Sequence, residues 1–240
     1  MVDRADMVAE RDAHGMGLLS DPDERDLQYP MQAMLAMEET FTLPTQMFYQ
    51  TGPILNQGRL PQCVGFSWKQ WLQTGPTVNL STHPTPTEIY CAAQKLDPWV
   101  GDCTNPRYNG STVRAGAQAL QGMQFVTSYV WAWDAETIRR WILSGKGPVV
   151  VGTRWYPSMF TPVKSIITVD TSVAPAGGHA YLLSGYTDNG RFFEITNSWG
   201  AYWGAAGKAK IRYSDMDILL GLQGEAATAV EHLVIPVAAS

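Results

Sequence analysis

The sequence predicts an α+β fold in which a helical layer precedes a strand-rich layer, with a cleft between the two. Three observations predict it. Apolar residues recur at helical spacing through the first part of the chain, short β-favouring runs replace them after Gly147, and helices and strands follow one another in blocks rather than alternating. With 240 residues, 45% of them hydrophobic and 16% charged, the chain is long enough to bury a core in one large domain or two small lobes.

The elements follow in order. Residues 1–50 are Met-rich and acidic, and Asp21-Pro22-Asp23 and Tyr29-Pro30 break any long helix, so an extended arm with one short helix is expected. From Gln62 to Thr74, Val64, Trp68, Trp71 and Leu72 mark a helix stopped by Gly75-Pro76, which places Cys63 in its first turn. Thr85-Pro86-Thr87-Glu88 is a capping box with proline at the first helical position; Ile89, Ala92, Ala93 and Leu96 form the apolar face behind it. Ser111 or Thr112 caps a third helix carrying Val113, Ala117 and Leu120, and Asp134 a fourth carrying Ile138, Trp141 and Ile142. Strands are expected at Pro148–Val151, His179–Tyr186 and Arg191–Thr196, the last two joined through the hairpin signature Asp188-Asn189-Gly190.

Composition excludes several functions. A net charge of −5, with only 17 Lys and Arg spread along the chain, does not suit nucleic acid, which demands clustered cations. No apolar run reaches the roughly 18–20 residues of a membrane span, and Met1–Asp6 lacks the basic and apolar regions of a signal peptide, so a cytoplasmic or particle-associated protein is expected. Three cysteines are too few for a disulfide scaffold and none has zinc-knuckle spacing; neither metal nor cofactor is expected. Cys91 and Cys103 either bridge, closing a loop worth about 3 kcal/mol, or stay as packed thiols.

The chemistry converges on Cys63. A thiolate needs a positive neighbour or a helix N-terminus to exist near neutral pH, and Cys63 opens a helix. Gln57, on the preceding loop, can turn its amide toward the same reacting carbonyl. Of four histidines, His14 and His83 lie in polar or Pro-rich stretches and His232 near the C-terminus; His179 follows Gly177-Gly178 and starts a β-run, from which an imidazole can project into a cleft. Eighteen residues on, at the end of the paired strand, stands Asn197.

Asn56-Gln57-Gly58 leading to Cys63, then Gly178-His179-Ala180 with Gly185-Tyr186, then Asn197-Ser198-Trp199-Gly200-Ala201-Tyr202-Trp203-Gly204, resemble the signature blocks of papain-family cysteine peptidases. Cys63 precedes His179 by 116 residues and Asn197 by 134, against a spacing of about 130–150 for such enzymes, so the second agrees and the first is short. The resemblance runs from about Ile54 to Tyr213 and implies a two-lobed fold: a helical lobe over about residues 51–145 bearing the nucleophile helix, and an antiparallel β-barrel-like lobe over about 146–240 bearing His179 and Asn197.

It implies a Cys63–His179–Asn197 triad with Gln57 in the oxyanion hole, a protein or peptide substrate, and substrate contact by Asn109, Gly110, Ser111 and Gly178. Trp199 is expected either as a hydrophobic lid over the Asn197–His179 contact, in the substrate cleft, or equally as structural packing, and Trp203 as packing. The family's structural cysteine before the nucleophile is Leu60 here and its tryptophan after it is Val64, so one family disulfide is missing, which suits a reducing compartment. Asp23-Glu24-Arg25-Asp26 with Tyr29-Pro30 is similar to the start of bacterial and bacteriophage members. This implies an arm that meets other subunits of a larger particle, with an assembly component of weak or lost catalysis as the alternative to an active peptidase.

Overall fold

The computed structural model describes residues 14–20, 23–36, 42–99, 103 and 110–232. Helices α1 (Met31–Ala36), α2 (Cys63–Leu72), α3 (Pro86–Ala93), α4 (Val113–Gly122), α5 (Ala135–Leu143) and α6 (Tyr213–Gly221) pack on one eight-stranded sheet. The strands are β1 (Gln46–Phe48), β2 (Val126–Ala132), β3 (Val149–Trp155), β4 (Ile166–Ile167), β5 (Gly177–Thr187), β6 (Phe192–Thr196), β7 (Lys208–Arg212) and β8 (Glu225–His232). They run in the order β2-β8-β3-β5-β6-β7-β4, antiparallel throughout except for β4 on β7, and β1 joins the second half of β5.

Both faces of the sheet's centre are covered, and this explains the unbroken apolar run Val149-Val150-Val151. Successive strand residues point to opposite faces. Val149, Val151, Tyr181 and Leu183 enter the core shared with α1, α5 and α6, whereas Val150, Ala180, Leu182 and Ala227 enter the core shared with α2, α3 and α4. Trp68 and Trp71 fill that second core, and their indoles donate to the Val113 and Pro148 carbonyls. Deleting a buried Trp of this kind typically costs about 3–5 kcal/mol. Gly65 and Gly116 let α2 approach its neighbours, since a Cβ on Gly65 would lie 2.2 Å from the Pro86 carbonyl oxygen and one on Gly116 2.2 Å from the Trp68 ring.

The local signals settle as follows. Cys63 is the first residue of α2, Thr85 and Glu88 complete the capping box, and Asp134 caps α5. Thr112, not Ser111, caps α4; the Ser111 hydroxyl donates instead to Asp97. Helix α3 ends at Ala93, earlier than the apolar face suggested, because the Lys95 and Leu96 N–H groups donate three residues back to the Ala92 and Ala93 carbonyls, and Leu96 is exposed; the Gln94 side chain turns inward to the Tyr90 hydroxyl and the Gly110 carbonyl. The arm is more than extended chain: it holds a short 3₁₀ turn at Glu24–Gln28 and α1, and its end is strand β1 of the sheet. Cys91 and Cys103 form a disulfide. This is the bridged one of the two alternatives that the sequence left open. Among the described residues no helix is long and apolar enough to cross a membrane.

Candidate active site

Cys63, His179 and Asn197 come from three elements, α2, the start of β5 and the end of β6, and all three are fully buried. The β5–β6 hairpin pairs Leu182 with Thr196, so Asn197 falls beside the beginning of β5. His179 Nε2 lies 2.8 Å from Asn197 Oδ1. The Ser198 backbone N–H also donates to Oδ1, which fixes that atom as the amide oxygen, so His179 Nε2 carries the proton. The remaining ring nitrogen, Nδ1, has no hydrogen-bond partner among the described residues. It is the atom able to accept a proton.

The Cys63 sulfur is reached by backbone N–H groups of Ala180, next to His179, of Gly17 from the arm, and of Val64 and Cys63 in the first turn of α2. The last two are unpaired donors that any helix N-terminus presents, and they favour an anion there. Burial outweighs them and pushes the thiol up to about 11. Burial likewise pushes His179 down to about 4, against the opposing pull of its bond to Asn197. Burial therefore favours the neutral form of both groups in this state.

Gln57 is buried on the loop before α2. Ser198 Oγ donates to Gln57 Oε1 at 2.5 Å and the Gln57 N–H donates to the Ser198 carbonyl at 2.8 Å, which fixes the amide nitrogen as the donor to the Leu60 carbonyl at 2.8 Å and to one further partner. Ser198 thus couples the Gln57 amide to Asn197 and His179. Sequence reasoning passed over it, although its place between Asn197 and Trp199 in the Asn-Ser-Trp-Gly block marked it. Gln70 of α2 donates to the Asn197 carbonyl at 3.0 Å and ties the nucleophile helix to the end of β6. Trp199 stacks on His179 with ring centroids 4.6 Å apart and covers it, while Trp155 meets the imidazole edge-on at 4.9 Å.

The cleft is not empty. Gln57 Nε2 donates to the Gly15 carbonyl at 2.5 Å, the Gly15 N–H donates to the Gly58 carbonyl, and the Ser111 N–H donates to the Gly17 carbonyl. The Leu18 N–H donates to the Gly178 carbonyl and the Leu19 N–H to the Ser111 carbonyl. Leu18 bridges Ser111 in parallel, and its side chain fills the space between Gly152 and Val113. Gly110, Ser111 and Gly178, expected to hold substrate, thus hold or border the chain's own residues 15–19; Asn109 lies outside the described residues. Gly15 and Gly17 pass so close to the wall that a Cβ on either would stand 2.0 Å from the Leu60 or Pro61 carbonyl oxygen.

Sequence reasoning set His14 aside, but its ring stacks on Trp199 at 4.3 Å. Beyond the cleft the arm is tied down again: Arg114 of α4 pairs with both Asp23 (3.0 Å) and Asp26.

The titratable groups of the arm give its docking a defined pH dependence. Burial lowers His14, so the docked arm holds this ring neutral; that contribution is complete above the ordinary value of 6.5 and is lost as pH falls through the lowered one. Asp26 acts in the opposite sense, because burial raises it to about 6 despite Arg114, so docking gains from its protonation between about 6 and its ordinary 3.8. Hydrogen exchange of the Leu18 and Leu19 amides, corrected for intrinsic rates, is expected to speed up as pH drops from 7.5 toward 6. A His14→Phe chain is expected to lose this rise, and Asp26→Asn to steepen the response below pH 6.

A thiol at a helix N-terminus, an imidazole oriented by an asparagine, and an amide facing the same cleft define the class of thiol-dependent hydrolases. The comparisons agree. The model of the papain family of cysteine proteases matches residues 85–228, and the chain belongs to that family as a cysteine-type peptidase. Among solved structures it is similar to xylellain, a cysteine protease from Xylella fastidiosa, with a TM-score of 0.69 at 19% identity over 96% of this chain and 100% of that one. Recombinant stem bromelain precursor matches with a TM-score of 0.57 at 15% identity over 92% of this chain and 79% of that one. Bromelain from Ananas comosus in complex with the E64 inhibitor matches with the same score and identity over 78% of this chain and 99% of that one. Among curated proteins no match is found.

Proposed function

We propose that this chain hydrolyses peptide bonds through a covalent thioester on Cys63, and that the state described is a latent form closed by residues 14–19. The observation that carries the reading is the His179–Asn197 bond at 2.8 Å, which leaves Nδ1 as the free base, while the thiol at the start of a helix is reached by the N–H of Ala180, the residue after His179. Both groups are neutral because they are dry. Admitting water and substrate relieves the desolvation, so the thiol value falls, the imidazole value rises, and the proton passes from Sγ to Nδ1.

The thiolate then attacks the substrate carbonyl carbon, and the carbonyl π electrons move onto oxygen. The Gln57 amide and the Cys63 N–H stabilise that charge. As the tetrahedral centre collapses, the C–N bond breaks and His179 Nδ1 delivers its proton to the leaving amine. Water deprotonated by the same nitrogen cleaves the thioester and restores the thiol. Asn197 keeps the ring in the required tautomer, and Ser198 is a positioning residue for Gln57.

The arm supports latency because its carbonyl at Gly15 takes the Gln57 donor, its N–H at Gly17 takes the sulfur, and its backbone takes Ser111 and Gly178. The share of this chain that is matched also rises from 78% against bromelain in its inhibitor complex to 92% against the bromelain precursor. The arm residues that suggested a bacteriophage particle, Asp23 and Asp26, have a use inside the chain as partners of Arg114.

Gly17→Val tests the reading, since its side chain cannot pass the Pro61 carbonyl. Overpacking of this kind typically costs 1–3 kcal/mol, so alkylation of Cys63 by iodoacetamide and hydrolysis of unfolded casein are both expected to rise roughly 5- to 100-fold. Faster alkylation with no hydrolysis would favour the assembly component of weak or no catalysis instead.

A further inference from the structure

We propose that Gln70 is a positioning residue of the reaction: it sets where the imidazole stands relative to Cys63 by bracing Asn197 from the nucleophile's own helix. This rests on the peptidase reading above. Gln70 follows Cys63 by seven residues, two turns of helix, so both project from one face of α2, about 10 Å apart along its axis. Ser67 lies between them on that face and donates its hydroxyl to the Cys63 carbonyl at 2.8 Å. All three are buried, and α2 packs there against β5, the strand that begins with His179.

The brace closes a circuit of contacts. Gln70 Nε2 donates to the Asn197 carbonyl at 3.0 Å, Asn197 Oδ1 accepts from His179 Nε2 at 2.8 Å, and the N–H of Ala180, the residue after His179, reaches the Cys63 sulfur. The Asn197 backbone is gripped on both sides, its N–H by the Gly207 carbonyl at 3.0 Å and its carbonyl by Gln70. Gly207 precedes β7 in the same strand layer as Asn197, so its bond does not register that residue against the nucleophile. Gln70 does, because two turns of helix join it rigidly to Cys63.

Stability alone does not account for an amide at this place. Gln70 Oε1 has no hydrogen-bond partner among the described residues, so the group is buried with one end unpaired. That is a costly way to fill space, and a thioether of similar length would fill it without an orphaned oxygen. What a thioether does not supply is a donor to the Asn197 carbonyl. The place of Asn197 fixes Oδ1, and Oδ1 fixes the ring through Nε2, so a drift of Asn197 moves Nδ1 off the line of proton transfer. Misplacements on the order of 1 Å typically cost about 10²-fold in rate.

Gln70→Met keeps the shape and removes the donor. In the opened Gly17→Val chain it is expected to lower kcat roughly 10- to 100-fold with KM little changed. Gln70→His, whose Nε2–H has a similar reach, is expected to recover part of the loss. If Gln70→Met does not fold, Gln70→Asn, one methylene too short for the carbonyl, takes its place. A kcat equal to the parent's would overturn the proposal, and so would a raised KM with kcat untouched.

The brace is also read without turnover. In the closed full chain with nitrogen-15-labelled histidine, the His179 Nε2–H proton, identified by its loss in Asn197→Ala, is protected from solvent by its bond to Oδ1. Gln70→Met is expected to speed its exchange roughly tenfold. Ile138→Val, which thins the core beside α5 and lowers thermal stability, is expected to leave it unchanged. Equal acceleration in both variants would mean general loosening and would overturn the proposal. If the Gly17→Val parent cleaves no peptide, the peptidase reading fails, while the exchange series still decides whether Gln70 holds the imidazole.

Discussion

Replacing Cys63 by alanine in the opened, Gly17→Val chain is expected to lower peptide hydrolysis by about 10⁴-fold or more, the scale on which removing a covalent nucleophile acts. The full chain has three cysteines, and Cys91 and Cys103 are bonded to each other, so Cys63 is the free thiol. The alanine chain is therefore also expected to take up no iodoacetamide. The two readouts separate two roles. A loss of labelling with hydrolysis unchanged would mean that the bond is cut elsewhere, and the site built on α2, β5 and β6 would not be the catalytic one. Folding is not expected to confuse the result, since alanine at the first position of a helix removes only one sulfur from the core.

The second large effect is expected at Gln57. Gln57→Ala in the opened chain removes one oxyanion donor, a loss that typically costs about 10² to 10³ in kcat with KM little changed. The same substitution in the closed chain removes the donor that holds the Gly15 carbonyl, so alkylation of Cys63 is expected to become faster. Opposite signs in the two assays distinguish a catalytic donor from a merely structural one. Ser198→Ala leaves the amide in place, still donating to the Leu60 carbonyl, but removes the partner of Gln57 Oε1 and so loosens its orientation. A smaller loss of kcat is expected there, and Ser198→Thr, which keeps the hydroxyl, is expected to recover part of it. A structural role alone would lower thermal stability in both Ser198 variants with kcat untouched.

Much of this was legible because the signals are local. The helix start at Cys63, the capping box at Thr85 and Glu88, the cap at Asp134 and the hairpin at Asp188–Gly190 depend on residues within a few positions of one another, and each formed as read. The spacing between His179 and Asn197 was legible for the same reason, since one antiparallel hairpin joins them. The end of α3 was misread because the chain tightens after Gln94, where the Lys95 and Leu96 N–H groups donate three residues back to the Ala92 and Ala93 carbonyls and leave Leu96 exposed. Likewise, Thr112 rather than Ser111 caps α4 because the Ser111 hydroxyl is drawn to Asp97 and its backbone to the arm.

The sequence by itself singled out the residues expected to carry the chemistry, because an amide, a thiol, an imidazole and a second amide in that order and spacing have few other uses. It also determined the helices and strands that carry them. Only the tertiary structure decided that the site is shut. The contacts that close it join Gly15 to Gln57, Gly17 to Ser111 and Leu18 to Gly178, and almost all are backbone hydrogen bonds, which any residue offers and no side-chain pattern announces. The glycines that make room for the passage look like ordinary flexible positions until the Leu60 and Pro61 carbonyls are seen against them. The neutrality of Cys63 and His179 has the same origin, since it follows from the exclusion of water by chain folded back from more than forty residues upstream of Cys63.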